Sequence, residues 1–108
     1  MRKLIFLLML FCGTTSAQIK VTHFNAGWNN ANDVKWFMKL KDCKTMGYVD
    51  IAKDTKAQTK YKIAVVPTII IFKDNEEVAR FQADLSFKMV ATKKEVQEEI
   101  NDQMMSDF

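Results

Sequence analysis

The chain is poor in the residues that punctuate or cross-link a fold. Its 108 residues include one proline, three glycines, two cysteines and one histidine. So little Pro and Gly leaves no stretch that reads as a flexible linker or low-complexity tract. The cysteines, Cys12 and Cys43, fall on either side of an expected processing site, so the domain that follows keeps only Cys43. One cysteine excludes an internal disulfide framework, and the domain must stand on its apolar core. A single His and a single Cys far apart in sequence do not make a metal-ligand cluster, and no metal or cofactor is expected. Long apolar runs are also missing. The longest block, Leu4 to Cys12, is nine residues, against the ~20 needed to span a bilayer.

That block belongs to a three-part leader. Met1-Arg2-Lys3 is a positive start, the apolar block follows, and Gly13-Thr14-Thr15-Ser16-Ala17 supplies small residues before Gln18. This is the pattern of a secretory signal. It predicts a signal peptide over 1–17, a mature domain over 18–108, and export to a periplasm or the extracellular space, with no stable membrane span after cleavage. The competing reading of the block is a buried N-terminal strand or helix. A lipid anchor on Cys12 is disfavoured by the bulky Leu10-Phe11 before it. Of sixteen basic residues, Arg2 and Lys3 leave with the leader, so fourteen face thirteen acidic ones. A balance of +1 gives no electrostatic footprint for nucleic acid.

What is present is organised around Val65-Val66-Pro67-Thr68-Ile69-Ile70-Ile71-Phe72. Thr68 to Phe72 is apolar and β-branched without polar alternation, as in a strand buried on both faces. Proline cannot donate to a sheet ladder, so Pro67 belongs at that strand's mouth. The isomer of the Val66–Pro67 bond is not readable from sequence. Ile19 to Asn25 reads as an earlier strand. Asn29, Asn30 and Asn32 suit a helix start, and Val34, Phe37, Met38 and Lys41 recur at helical spacing, predicting a helix over about 30–41. A second strand is expected over 45–51 and a short polar helix over 53–60. A hairpin strand is expected over 77–82 after the turn 73–76, and 83–91 is a mixed connector. Thr92-Lys93-Lys94-Glu95 is a capping box. It opens a last helix striped by Val96, Ile100 and Met104, and residues 105–108 read as a frayed end. Lys53, Lys56, Lys60 and Lys62 make a solvated, charge-rich face.

The order strand, helix, strand, short helix, strand, strand, helix predicts an α/β fold of pattern βαβ-α-ββα. It should build a four-stranded mixed sheet flanked by helices, its first crossover right-handed. With Pro67 opening the third strand, the order resembles the thioredoxin family. The likeness rests on Lys60 to Asp74, on Phe24-Asn25-Ala26-Gly27-Trp28, and on Val49-Asp50-Ile51, and it spans roughly residues 19–104. The extra N-terminal strand and helix of many thioredoxins are missing. The resemblance implies Cys-x-x-Cys directly after the tryptophan. Here those places hold Asn29-Asn30-Ala31-Asn32. Dithiol exchange needs one thiolate to attack and a second thiol to resolve, and an amide does neither.

The resemblance further implies that an extended peptide or protein partner is received at Trp28, Asn29, Asn32, Val66 and Pro67. Main-chain pairing at Val66 would give affinity, and Trp28 would give an aromatic anchor. Trp28 could instead only cover the helix–loop junction. The Asn cluster could hold a ligand, but capping is the simpler reading. The reading is therefore a redox-inactive exported binding or chaperone-like module, with no catalytic residue. The alternative is a thiol-disulfide enzyme working through Cys43, and a structural role in an envelope complex is a third. Cys43 itself reads as a small packed residue or as an intermolecular disulfide. His23 stands where the resemblance puts a buried acid. It reads as a core histidine satisfied by a backbone carbonyl, or as a pH-sensing group.

Overall fold

The computed structural model describes residues 18–105; the signal peptide expected over 1–17 and residues 106–108 of the expected frayed end lie outside them. Four strands form one sheet in the order β2-β1-β3-β4. They are β1 (Ile19–Asn25), β2 (Thr45–Asp50), β3 (Thr68–Lys73) and β4 (Glu76–Gln82). β1 runs parallel to β2 and antiparallel to β3, and β3 and β4 form an antiparallel hairpin. Two helices complete the chain, α1 (Thr55–Lys60) and α2 (Lys93–Met105). This is the expected mixed, four-stranded α/β architecture.

β3 is central because its side chains pack on both faces. Ile69 and Ile71 join Ile19, Val21, Phe37, Leu40, Val96 and Ile100 under α2. Ile70 and Phe72 join Phe24, Ala26, Ile51, Ile63 and Val66 on the other face. Burying each such side chain is worth roughly 1.5–3 kcal/mol. The strand begins directly after Pro67, and the Val66–Pro67 peptide bond is cis. The hairpin turns on Asp74 and Asn75, both with positive φ (51° and 72°). Asp and Asn tolerate that region, which two-residue hairpin turns demand.

The capping box forms as expected. Thr92 Oγ1 accepts from the Glu95 amide at 3.2 Å, and Glu95 Oε1 accepts from the Thr92 amide at 2.8 Å. Val96 and Ile100 of α2 are fully buried, whereas Met104 sits at the edge of the stripe, 37% exposed.

The helix expected over 30–41 does not form. The crossover from β1 to β2 is instead two 3₁₀ turns, Gly27–Asn32 and Phe37–Lys39, with Asp33 extended between them (φ −54°, ψ 145°). Of the residues at helical spacing, Val34 and Phe37 are buried, but Met38 is 75% exposed and Lys41 is exposed; Leu40 fills the remaining core position. Helical hydrogen bonds lose to side-chain partners. The Val34 amide donates to His23 Nε2 at 3.0 Å, and Asn29 is turned out of helical geometry (φ −115°, ψ 20°). Asn and Asp offer the backbone such local alternatives, which makes them poor helix interiors. The far end of the crossover is held by Gln97 of α2, which accepts from the Lys41 amide at 2.8 Å and donates to its carbonyl at 2.9 Å.

Two-faced burial has a measurable signature. Ile69→Ala and Ile70→Ala, one on each face of β3, should each cost about 2–5 kcal/mol in urea unfolding. Val78→Ala on the exposed side of β4 should stay within about 0.5 kcal/mol. A near-neutral Ile70→Ala would contradict a second covered face.

Candidate functional site

The sheet topology gathers three segments at one end. β1 finishes at Asn25 and leads into the first 3₁₀ turn. The β1–β3 pairing runs out at Phe24 opposite Thr68, so Pro67 lies at the same end. β4 also finishes there, opposite Thr68, and the Ala83 amide donates to the Pro67 carbonyl at 3.0 Å. The crossover, the proline and the connector over 83–91 therefore share one rim.

Asn29 ties the rim together. It is 6% exposed. Its Nδ2 donates to Asn25 Oδ1 at 3.0 Å and to the Phe87 carbonyl at 3.2 Å. Its Oδ1 accepts from Asn32 Nδ2 at 2.8 Å, and its carbonyl accepts from Asn25 Nδ2 at 3.1 Å. The two residues at the positions where the resemblance would put a cysteine pair are thus hydrogen-bonded to each other. The rim is tied by amides. Such a buried polar network is stable only when its members are satisfied, and here they are. Asp50 pins the start of the turn, accepting on Oδ1 from the Gly27 amide at 3.1 Å and the Ala52 amide at 2.9 Å.

Phe87 was not among the residues singled out in the sequence. It is held by a tight turn in which Asp84 Oδ1 accepts from the Ser86 amide at 2.9 Å and the Ser86 hydroxyl at 2.6 Å. These bonds hold the Asp84 carboxyl below its usual range. The turn leaves Phe87 at φ 63°, a region costly for a bulky side chain and most often retained at sites under constraint. Its ring meets Trp28 edge to face at 5.3 Å. Asp84 two residues before Ser86 is the one local signal for this turn, because an Asp side chain mimics a backbone turn.

The candidate residues divide by exposure. Trp28 is 66% exposed, and Asn32 is half-buried. Asn29, Val66 and Pro67 are buried, Val66 within the core cluster around Phe24 and Ile70. The Val66 backbone makes no hydrogen bond to another described residue. Phe87 lies against Trp28, and Leu85 and Val90 of the same connector are also exposed.

Cys43 lies elsewhere. It precedes β2, and the neighbouring Lys44 amide donates to the Ile19 carbonyl at the opposite end of β1. Six residue steps along β1 separate that end from Asn25, about 20 Å at the rise of a strand. The thiol is half-buried, and burial together with Asp42 pushes its pKa up, away from the reactive thiolate.

His23 is buried, but its partner is not the carbonyl that the sequence suggested. Nε2 accepts the Val34 amide, which places the proton of the neutral ring on Nδ1, and Nδ1 has no partner. The ring stacks on Tyr48 at 4.9 Å and tilts against Phe37 at 5.3 Å. Burial lowers its pKa, against a smaller opposing pull from Asp33. A histidine depressed in the folded state stabilises fully above its unfolded value of ~6.5 and loses that contribution as pH falls toward the folded value.

Among the described residues no group of three His, Cys, Asp or Glu could hold a metal ion, and no helix is long and apolar enough to cross a membrane. Stability should therefore drop below pH 6.5 with a slope of up to about 1.4 kcal/mol per pH unit, to which His23 contributes. His23→Phe should flatten that slope in urea melts between pH 5 and 6.5, and an unchanged slope would remove His23 as its source.

No family model and no curated protein sequence matches the chain. Solved structures do. A point mutant of thioredoxin from Halobacterium salinarum superposes with a TM-score of 0.64 at 17% identity, over 88% of this chain and 82% of that one. The Schistosoma mansoni thioredoxin pre-protein in its reduced form gives 0.63 at 22% identity, over 86% of each chain. A thioredoxin-2 described as a component of malaria parasite protein secretion machinery gives 0.59 at 18% identity, over 82% of this chain and 85% of that one. At such identities the likeness speaks for architecture: the chain has the thioredoxin fold.

Proposed function

We propose that the chain is an exported binding module of thioredoxin fold that works without a redox dithiol. It receives an extended, apolar segment of a peptide or protein at the rim carrying Trp28 and Phe87. The observation that carries this reading is the exposed Trp28–Phe87 pair seated on the buried Asn29 clasp. Rigid aromatic side chains give large contact area at low entropic cost and dominate interface energetics. Leu85 and Val90 supply further apolar contact. The unpaired Val66 backbone offers main-chain pairing to a passing strand. At 3% exposure, Val66 is reached only when a neighbour is displaced.

Asn29 and Asn32 at the pair positions support the absence of thiol exchange. The position of Cys43 beyond the other end of β1 disfavours a one-cysteine mechanism at the rim. The leader-like pattern of residues 1–17 supports export. The thioredoxin-2 found among the neighbours is described as part of a secretion assembly, so a component role for this fold has a parallel.

Trp28 fluorescence should respond to titration with unstructured apolar peptides. Phe87→Ala should weaken binding about tenfold, the effect of losing roughly 1.4 kcal/mol at a contact. Equal binding by the Trp28→Ala/Phe87→Ala double variant, followed by calorimetry, would overturn the rim assignment. In insulin reduction, wild type and Cys43→Ser should both match the uncatalysed rate; activity lost in Cys43→Ser would restore the thiol reading.

A further inference from the structure

A second feature lies on the α2-facing side of the sheet, between β2 and the crossover. A cleft of about 270 Å³ opens there. Ligand pockets commonly run to ~300–1,000 Å³, so this one suits a group no larger than a long side chain. Phe37, Met38 and Met46 give it apolar walls, and Asp33, Tyr48 and His23 give it a polar end.

The charge of that end is one-sided. Asp33 Oδ1 accepts from Asn25 Nδ2 at 2.6 Å and from the Tyr48 hydroxyl at 3.0 Å. Both donors are neutral. Tyr48 stays protonated, its pKa pushed up to about 12 by burial and by Asp33. Burial likewise keeps the His23 ring neutral. Among the described residues no lysine or arginine pairs with Asp33, and its Oδ2 has no protein donor. Asp33 is therefore a partly buried carboxylate whose only side-chain partners among the described residues are neutral, and its charge is open to a cation.

We propose that this cleft binds an organic cation, an ammonium or guanidinium group on a short apolar stem. Oδ2 of Asp33 takes the charged head through a charge-assisted hydrogen bond. The exposed Tyr48 ring, stacked on His23 by one face, leaves its other face for cation–π attraction. Met38 and Met46 pack the stem with adaptable thioethers. An anion is repelled by Asp33. A neutral apolar group leaves the carboxylate uncompensated. The cleft shares Asn25 with the clasp of the rim, but neither Trp28 nor Phe87 lines it, and it does not rest on the function proposed for them.

The cation could be a free amine or the side chain of an arginine in a partner. NMR titration of the full mature domain at low ionic strength distinguishes these with butylammonium, N-acetyl-arginine-amide, and the neutral controls 1-butanol and N-acetyl-norleucine-amide. Saturable shifts are expected at the Tyr48 ring and the Met38 and Met46 methyls. Response to butylammonium alone identifies a free amine; response to the arginine derivative alone or to both supports a side chain as an occupant. Asp33→Asn keeps an acceptor for both neutral donors and should weaken cation binding at least about tenfold. Trp28→Ala should leave it unchanged. No saturable shift, neutral controls binding as well as the cations, or wild-type affinity in Asp33→Asn would each overturn the proposal. If Asp33→Asn fails to fold, the cation-against-neutral comparison on the wild type decides alone.

Discussion

Burial of β3 on both faces is the constraint from which the rest follows. Its odd-numbered isoleucines face α2 and the crossover, and Ile70 and Phe72 face the opposite layer. Close packing in both layers leaves the strand little room, and the two-residue turn at Asp74 and Asn75 fixes its register against β4. Register in turn fixes where the ends fall. Thr68 stands opposite both Phe24 and Gln82, so the segments after β1, before β3 and after β4 have to meet. The rim is a consequence of the sheet.

Polar side chains organise what the sheet gathers. In place of a helix and its aligned amides, the crossover is fastened by His23, Asn25 and Asn29. This changes the electrostatics. A helix N-terminus favours an anion, and a lowered cysteine pKa depends on that kind of help. Here donors of the turn are spent on backbone carbonyl, imidazole and carboxylate acceptors, and the positions where the resemblance would put a thiol pair carry groups that only donate and accept hydrogen bonds. What remains is geometric: two aromatic rings at right angles on a clasp, and a cleft beneath the crossover whose carboxylate has only neutral partners among the described residues.

The same accounting explains how much could be read in advance. The strands, the hairpin and the capping box were legible, because each depends on neighbours in sequence: alternation, turn residues and a Thr/Glu pair three apart. The helix over 30–41 was misread for a physical reason. The spacing of Val34 and Phe37 correctly marks residues that must be buried, but spacing does not say which backbone fastens them. The parts played by Phe87 and Asp33 were not legible because they depend on Asn29, Asn25 and Tyr48, which reach them only through the fold.

By itself the sequence determined the strand framework and which residues stand at the rim: a non-alternating strand after the only proline, and amides at two positions of the rim. Tertiary structure alone decided which of those residues face solvent. It buried Asn29 and Val66, left Trp28 exposed beside Phe87, and carried Cys43 to the far end of β1. Local pattern records the energy of a residue against its chain neighbours. Exposure and pairing depend on contacts closed across dozens of residues, which no local window contains.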